Sequence, residues 1–364
     1  MIGEYLGSYR VQSKIGAGAI GEVYLAEHPL IGRKVAIKVL QQEFSTDPEI
    51  VSRFFNEARA TAMIGHPGLV DALDFGMHQP SGAAYIVMEY LVGDTLSQHL
   101  ERMNRLQPDV LIAVALQIAS AAGAAHQRGI VHRDLKPDNV IIVSDQAYPF
   151  AMRIKVLDFG IAKLSDATNK TRTGKLLGTP LYMSPEQCTG SGAVDHRADI
   201  YSLGIMMYEM ACGKPPFGGR GVYELIMAHQ NTPPVPPRQH SPLVPPELEA
   251  VILRALAKRA DQRYQSMAEL AQDLERVSGG RLSGAIGAVQ QQTLMAPMAG
   301  PQPITVMGGN TLAQRMGAAP PTVPADAVGR GGGGGGGGGA GRVLVVTLVI
   351  LAALGTGAYF LFLH

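Results

Sequence analysis

At 364 residues the chain exceeds one average domain, and its 31 basic and 30 acidic residues leave a formal net charge of +1. That balance gives no reason to expect a nucleic-acid partner, which needs a basic surplus on one face. Cys188 and Cys212 lie too far apart for a CxxC metal or redox motif, so a reduced, cytosolic folded part is expected.

The opening MIGEYLGSYRV has no basic segment followed by an apolar core, so no signal peptide is expected. Between residues 9 and 90, the runs YRVQSKIG, EVYLAEH, KVAIKVL and AAYIVMEY are short, alternating or apolar, and predict strands. One helix interrupts them. Asp47-Pro48 makes an N-cap and first-turn pair, and Ile50, Phe54, Ala58 and Met63 follow at helical spacing. From about 94 to 277 the pattern is mostly helical, as in PDVLIAVALQIASAAGAAHQ, DIYSLGIMMYEMA and PELEAVILRALAK. The expected fold class is α+β: a small β-rich lobe, then a larger helical lobe.

Residues 278–342 are rich in Gly, Pro, Ala, Gln and Thr without lasting periodicity, and predict a disordered linker. As a flexible coil of about 65 residues it would reach roughly 40–50 Å. Nine glycines then lead to Val343–Leu363, an uncharged apolar run of 21 residues. At 1.5 Å per residue such a run spans roughly 32 Å, the thickness of a bilayer core. A buried core helix is the alternative, but polyglycine does not lead into a compact core. A transmembrane helix is expected, with a lipid bilayer as partner. Arg330 and Arg342 precede it and only His364 follows, which puts the body of the protein in the cytoplasm. As written, the chain leaves no room for an external sensor, so the tail is expected to be an anchor. Ala353 and Gly357 lie four apart in the span, a spacing that would allow close helix packing in a homodimer and that chance also supplies.

Three motifs carry chemistry. Gly16-Ala17-Gly18-Ala19-Ile20-Gly21-Glu22-Val23 is a GxGxxGxV pattern, whose glycines let backbone approach phosphate oxygens. Alone it is weak, because a glycine hairpin looks the same. Strands on both sides and no following helix are wrong for a dinucleotide-binding fold. In Val35-Ala36-Ile37-Lys38 a lysine sits in an apolar strand, where an unpaired ammonium is costly. Phosphates on one side and Glu57 on the other would partner it. The third stretch, His132-Arg133-Asp134-Leu135-Lys136-Pro137-Asp138-Asn139, is followed by Asp158-Phe159-Gly160. Asn139 and Asp158 offer the oxygen ligands Mg²⁺ prefers, and Asp134 can orient a hydroxyl and accept its proton.

On these motifs, in this order, the sequence resembles the eukaryotic-like Ser/Thr protein kinases, particularly the membrane-tethered bacterial type, over about residues 9–277. The resemblance implies the two-lobed kinase fold (N-lobe 9–88, hinge 89–93, C-lobe 94–277), with ATP and Mg²⁺. It implies that Gly16, Gly18 and Gly21 cover the phosphates, and that Lys38 contacts them and pairs with Glu57. Asp134 would be the catalytic base, with Asn139 and Asp158 holding the metal. Lys136 resembles the Ser/Thr-specific form of the loop. Met88 falls at the gatekeeper position and Glu89 to Leu91 at the hinge that meets adenine. Ile15, Val23, Ala36 and Ile141 complete the implied ATP-binding set.

Gly178-Thr179-Pro180 through Ser184-Pro185-Glu186 resembles the end of an activation segment, with Ser-Pro-Glu where Ala-Pro-Glu is common. The resemblance pairs Glu186 with Arg263 and makes Asp199 the brace of the catalytic loop. Arg133 implies a phosphate on the activation loop, and Thr171 and Thr173 are the expected sites. Four linker pieces, around Thr293, Thr305, Thr311 and Thr322, each place an aliphatic residue after threonine. They would be autophosphorylated docking sites for phosphothreonine-reading domains, although composition alone also accounts for them. The expected activity is phosphoryl transfer to Ser/Thr hydroxyls of protein substrates. A nucleotide-binding pseudokinase scaffold and a small-molecule kinase are the rivals. No expected catalytic part is missing, which argues against the first. An intact activation segment argues against the second.

Overall fold

The structure is a computed structural model, described for residues 1–18, 20–158, 180–190, 194–219, 221–280 and 282. Phe159, Gly160, Thr171, Thr173, Thr179, the linker threonines and the 343–363 span lie outside the described residues.

The first lobe is a six-stranded antiparallel sheet in the order β1-β2-β3-β4-β6-β5. Its strands are β1 (Tyr5–Leu6), β2 (Tyr9–Ala17), β3 (Gly21–Glu27), β4 (Lys34–Leu40), β5 (Ala72–His78) and β6 (Ala83–Glu89). Strand β4 is central. Val35 to Leu40 are buried throughout, because one face packs on Val11, Tyr24 and Val87 and the other lies under a helix. The β-branched residues there suit a strand packed on both sides. A register shift between Lys14 and Gly16 re-aims the end of β2 where the glycine loop begins.

After the short α1 (Gln42–Ser45), the covering helix is α2 (Pro48–Ile64). Asp47 caps it, accepting from the Glu49 and Ile50 amides at 2.8 and 3.4 Å, and Gly65 ends it with a left-handed φ of 61°. Phe54 and Ala58 face the sheet. Met63 does not: five residues beyond Ala58 it has turned to solvent, and it is 64% exposed. Glu57 and Thr61 occupy the buried face instead, and the Thr61 hydroxyl donates to the Glu57 carbonyl at 3.0 Å. Strand β5 is an edge strand with Leu73, Phe75 and Met77 half-exposed, so its apolar residues give no clear core signal.

The second lobe is mostly helical. It includes a small antiparallel sheet, β7 (Gly93–Thr95), β8 (Val140–Ser144) and β9 (Met152–Val156). Helix α3 (Leu96–Met103) opens on a Thr95–Gln98 capping box. Helix α4 (Pro108–His126) has a mean hydropathy of 1.5, and by length and composition alone it could cross a membrane. Two-thirds of it is buried in protein, which makes it a core helix. It packs against α6 (Arg197–Cys212) and α10 (Met267–Val277). Helix α6 is buried on nearly all sides, as its lack of a polar face requires. Around it stand α5 (Pro185–Thr189), α7 (Val222–Asn231), α8 (Pro237–His240) and α9 (Pro246–Ala255).

Candidate active site

The site forms where the ends of β2, β3 and β4 meet the loops around β8 and β9. The glycine loop closes with the Gly18 amide donating to the Gly21 carbonyl at 2.8 Å. A Cβ on Gly21 would stand 2.7 Å from the Val39 carbonyl oxygen, so only glycine fits there. Gly16 and Gly18 have no such clash, the nearest atoms to an added Cβ being 3.7 Å away. Their bare backbone leaves room for a ligand. Gly16 pairs with Val23, Val23 with Lys38, and Ala36 with Met88, which lines these residues across one sheet. Ile15 is 47% exposed beside them, and Ile141 lies on β8 opposite Thr95.

Lys38 is buried, with only 9% of its surface exposed. Its Nζ lies 3.4 Å from Glu57 Oε1 and 2.9 Å from Asp158 Oδ1. Burial alone would drive the ammonium to lose its proton; the charges of Asp158 and then Glu57 hold it protonated, above its ordinary range. Burial raises the Glu57 carboxyl, against the pull of Lys38. The Lys38–Asp158 contact joins the two lobes, and nothing in the spacing of the motifs announces it.

The loop that carries Asp134 is hung on one buried carboxylate. Asp199, on α6, is 0% exposed. It accepts the His132 and Arg133 amides at 2.8 Å each and bonds His126 Nε2 at 2.7 Å. Burial would raise its carboxyl, but the bond from His126 and the His132 amide hold it below the usual range. Arg133 takes a left-handed φ of 64°, a conformation that these paired bonds stabilise. His132 Nδ1 accepts the Asp134 amide at 3.3 Å, so its Nε2 carries the proton and donates to the Leu157 carbonyl at 2.8 Å.

That last bond ties the loop to the segment carrying Asp158. A second tie is the Leu157 amide, 2.8 Å from the Asn139 carbonyl. Asn139 Nδ2 donates to the Asp134 carbonyl at 2.8 Å and to Asp134 Oδ2 at 3.3 Å, and Lys136 Nζ stands 3.5 Å from the same Oδ2. The Asn139 amide nitrogen is thus committed, and its Oδ1 is the end left to face a ligand. The Asp158 side chain is 42% exposed, with a φ of 41°. One amide oxygen and one open carboxylate are hard donors, the set that suits Mg²⁺ shared with phosphates.

Below the loop, Gln187 Nε2 donates to the Arg133 carbonyl at 2.8 Å, and Glu186 meets Arg263 in two bonds of 2.8 Å. Arg133 Nε and Nη1 are buried with no hydrogen-bond partner among the described residues. The same holds for Nη1 of Arg53, one turn before Glu57 on α2. At the hinge, Leu91 is partly buried, and Glu89 Oε1 accepts both the Asp71 amide at 2.9 Å and the Lys155 ammonium. Lys155, 3% exposed on β9, also donates to the Leu69 carbonyl at 2.9 Å. The motif reading passed over Lys155. The signal was there: a lysine inside the apolar run RIKVL poses the same question as Lys38.

The protein kinase domain family model matches residues 9–274. Serine/threonine-protein kinase Pkn1 of Myxococcus xanthus is 43% identical over 306 residues, covering 82% of this chain and 43% of that protein. Serine/threonine-protein kinase PknA of Mycobacterium tuberculosis is 40% identical over 278 residues, covering 76% of this chain and 62% of that one. The chain therefore spans about half the length of these curated relatives. Among solved structures, the M. tuberculosis PknI kinase domain superposes with a TM-score of 0.59 at 30% identity, covering 76% of this chain and 98% of that one.

Proposed function

This chain belongs to the protein kinase family, as a eukaryotic-like Ser/Thr member, and we propose that it transfers the γ-phosphoryl group of Mg-ATP to Ser and Thr hydroxyls of proteins. One observation carries the reading. Lys38, Glu57 and Asp158 meet across the lobes, next to a loop that Asp199 holds with Asp134 and Asn139 in mutual contact.

In this reading the glycine loop covers the phosphates, and adenine lies between Ala36, Val23 and Ile141 against the Glu89–Leu91 backbone. Lys38, kept charged, holds the α- and β-phosphates, and Glu57 keeps it aimed. Asn139 and Asp158 would hold Mg²⁺, which supplies charge neutralisation on the phosphates. Asp134 orients the acceptor hydroxyl and takes up its proton, while Lys136 stands ready for the transferring group. Phosphoryl transfer asks a protein for positioning and electrostatic stabilisation more than for covalent chemistry. A pseudokinase scaffold would have no use for the Asp134–Asn139–Lys136 cluster.

The same reading includes activation by autophosphorylation at Thr171 and Thr173. Arg133 Nε and Nη1, buried and without a hydrogen-bond partner among the described residues, support it, because a phosphate brings about −2 charge and three acceptors. Phosphosite mapping after incubation with labelled Mg-ATP is expected to find label on both threonines. Thr171→Ala/Thr173→Ala should lower transfer to an added protein by about tenfold or more. Full activity in the double variant removes the proposal. The uncharged run at 343–363 supports a membrane anchor with the kinase domain on the cytoplasmic side. The full chain is expected to stay with membranes through an alkaline carbonate wash, and a chain cut before Val343 to be released. A full chain that washes off refutes the anchor.

A further inference from the structure

A second buried lysine touches the hinge, and phosphoryl transfer as described gives it no task. Lys155, on β9, is 3% exposed. Its ammonium donates to the Leu69 carbonyl at 2.9 Å and pairs with Glu89 Oε1. The same Oε1 accepts the Asp71 amide at 2.9 Å, and the Glu89 amide donates to the Asp71 carbonyl at 3.0 Å. Glu89, Asp71, Leu69 and Lys155 thus close a ring, with the chain from 69 to 71 as one side.

The ring is anchored on β9. Val156, the next residue, donates its amide to the Gly68 carbonyl at 2.8 Å and accepts the Val70 amide at 3.1 Å. The Leu157 amide meets the Asn139 carbonyl at 2.8 Å, and the Leu157 carbonyl accepts His132 Nε2 at 2.8 Å. Asp158 follows directly. The strand that carries Lys155 therefore delivers Asp158, and it is fixed to the loop of Asp134 and Asn139. The far side of the ring is Glu89, where the hinge begins, and its neighbour Met88 pairs with Ala36.

In the kinase reading adenine lies against the Glu89–Leu91 backbone, while the phosphates and metal lie at Asn139 and Asp158. One side chain therefore links the base end of the nucleotide site to its phosphate end. Filling space does not require an ion pair there. An apolar pair of similar volume often holds two segments as firmly, whereas a hydrogen-bonded ion pair admits fewer geometries.

We propose that Lys155 is a positioning residue that sets nucleobase selectivity: through Glu89 it holds the start of the hinge at a fixed distance from Asp158, so that adenine meets the hinge backbone in register while its phosphates reach the metal. Guanine carries a carbonyl where adenine carries an amino group, so it gains nothing from that register. The inference rests on the kinase reading above and goes beyond it in naming what fixes the base.

The test uses the full chain and reads binding of Mg-ATP and Mg-GTP by calorimetric titration. Lys155→Met keeps an unbranched side chain and removes the ammonium. It is expected to weaken ATP by about tenfold and GTP by less than about twofold, because lost register costs only the bonds that adenine makes. The preference for ATP then falls by about tenfold. The same variant leaves the Glu89 carboxylate without its cation and the Leu69 carbonyl without its donor, which also lowers stability. Lys155→Met/Glu89→Gln removes the stranded charge. It should regain the urea midpoint without regaining the preference. A preference that returns together with stability shows that Lys155 serves the fold alone, and overturns the inference. So does an unchanged preference in Lys155→Met, or an equal loss for both nucleotides. Should Lys155→Met not fold, the preference of the double variant carries the same decision. If the wild-type chain binds ATP over GTP but transfers no phosphoryl group, the kinase reading fails, and titration still decides the role of Lys155.

Discussion

Asp134→Asn is expected to cut phosphoryl transfer by about 10²–10⁴-fold, the usual contribution of a positioned general base. ATP affinity should stay within about twofold. The substitution is close to isosteric, and the Asp134 backbone contacts with Asn139 and His132 do not involve its carboxylate. What changes is charge and basicity at one oxygen pair. Asparagine still accepts the Asn139 and Lys136 contacts weakly, but it takes up no proton from an incoming hydroxyl. Labelled phosphate on an added protein, with ATP binding by titration in parallel, separates the two effects. Loss of turnover with retained binding is the result for an active kinase. Equal turnover in variant and wild type would mean that any label comes from elsewhere, as in a pseudokinase preparation carrying a contaminant. Loss of ATP binding as well would show that Asp134 shapes the nucleotide site and is not confined to the acceptor.

Much of this arrangement was legible in the chain, and the reason differs by element. Strands β2, β3, β4 and β6 announced themselves because β-branched and aromatic residues alternate or run unbroken there. Helix α2 showed its start through Asp47-Pro48, a local signal resting on two backbone amides. Residues clustered in the short catalytic loop could be named together, because chemistry that needs several groups on one atom places them close in sequence. Other features depend on residues far apart. The Lys38–Asp158 bond and the Lys155–Glu89 bond across the hinge join residues 66 or more positions apart. No local rule reports such a meeting. Lys155 illustrates the limit: it is a polar residue in an apolar run, which predicts a partner without naming it. Met63 shows the opposite error: it lies two residues past the buried Thr61, and its side chain is in solvent.

The second large effect is expected at Arg263, which lies outside the chemistry. Arg263→Ala should destabilise the folded chain by about 3–5 kcal/mol, the range for removing one partner of a buried ion pair. Arg263 is 1% exposed, the largest fully buried side chain among the described residues. Its Nη1 and Nη2 meet Glu186 Oε1 and Oε2 at 2.8 Å each, its Nε donates to the Ala257 carbonyl at 2.8 Å, and the Arg197 and Lys258 carbonyls accept at 3.0 Å each. The guanidinium also lies 4.9 Å from the Tyr201 ring. Every N–H is used, so truncation leaves a carboxylate and three carbonyls without their donor. Arg263→Lys should recover only part, since one ammonium cannot reproduce the planar fork. Burial would raise the Glu186 carboxyl, yet its bonds and charge pairing with Arg263 hold it below its ordinary 4.5. A carboxyl depressed in the folded state contributes stability above that ordinary value and loses it as pH falls through the folded one. Urea midpoints for wild type should therefore fall on acidification below about 4.5, and the Arg263→Ala midpoint should be lower at pH 7 with a weaker acid dependence. Matching midpoints for wild type and Arg263→Ala at pH 7 would show that the pair does not hold the segment. Because Glu186 leads directly into Gln187, whose amide reaches Arg133, loss of the pair should also slacken the catalytic loop: activity is expected to fall in Arg263→Ala at temperatures where the protein is still folded.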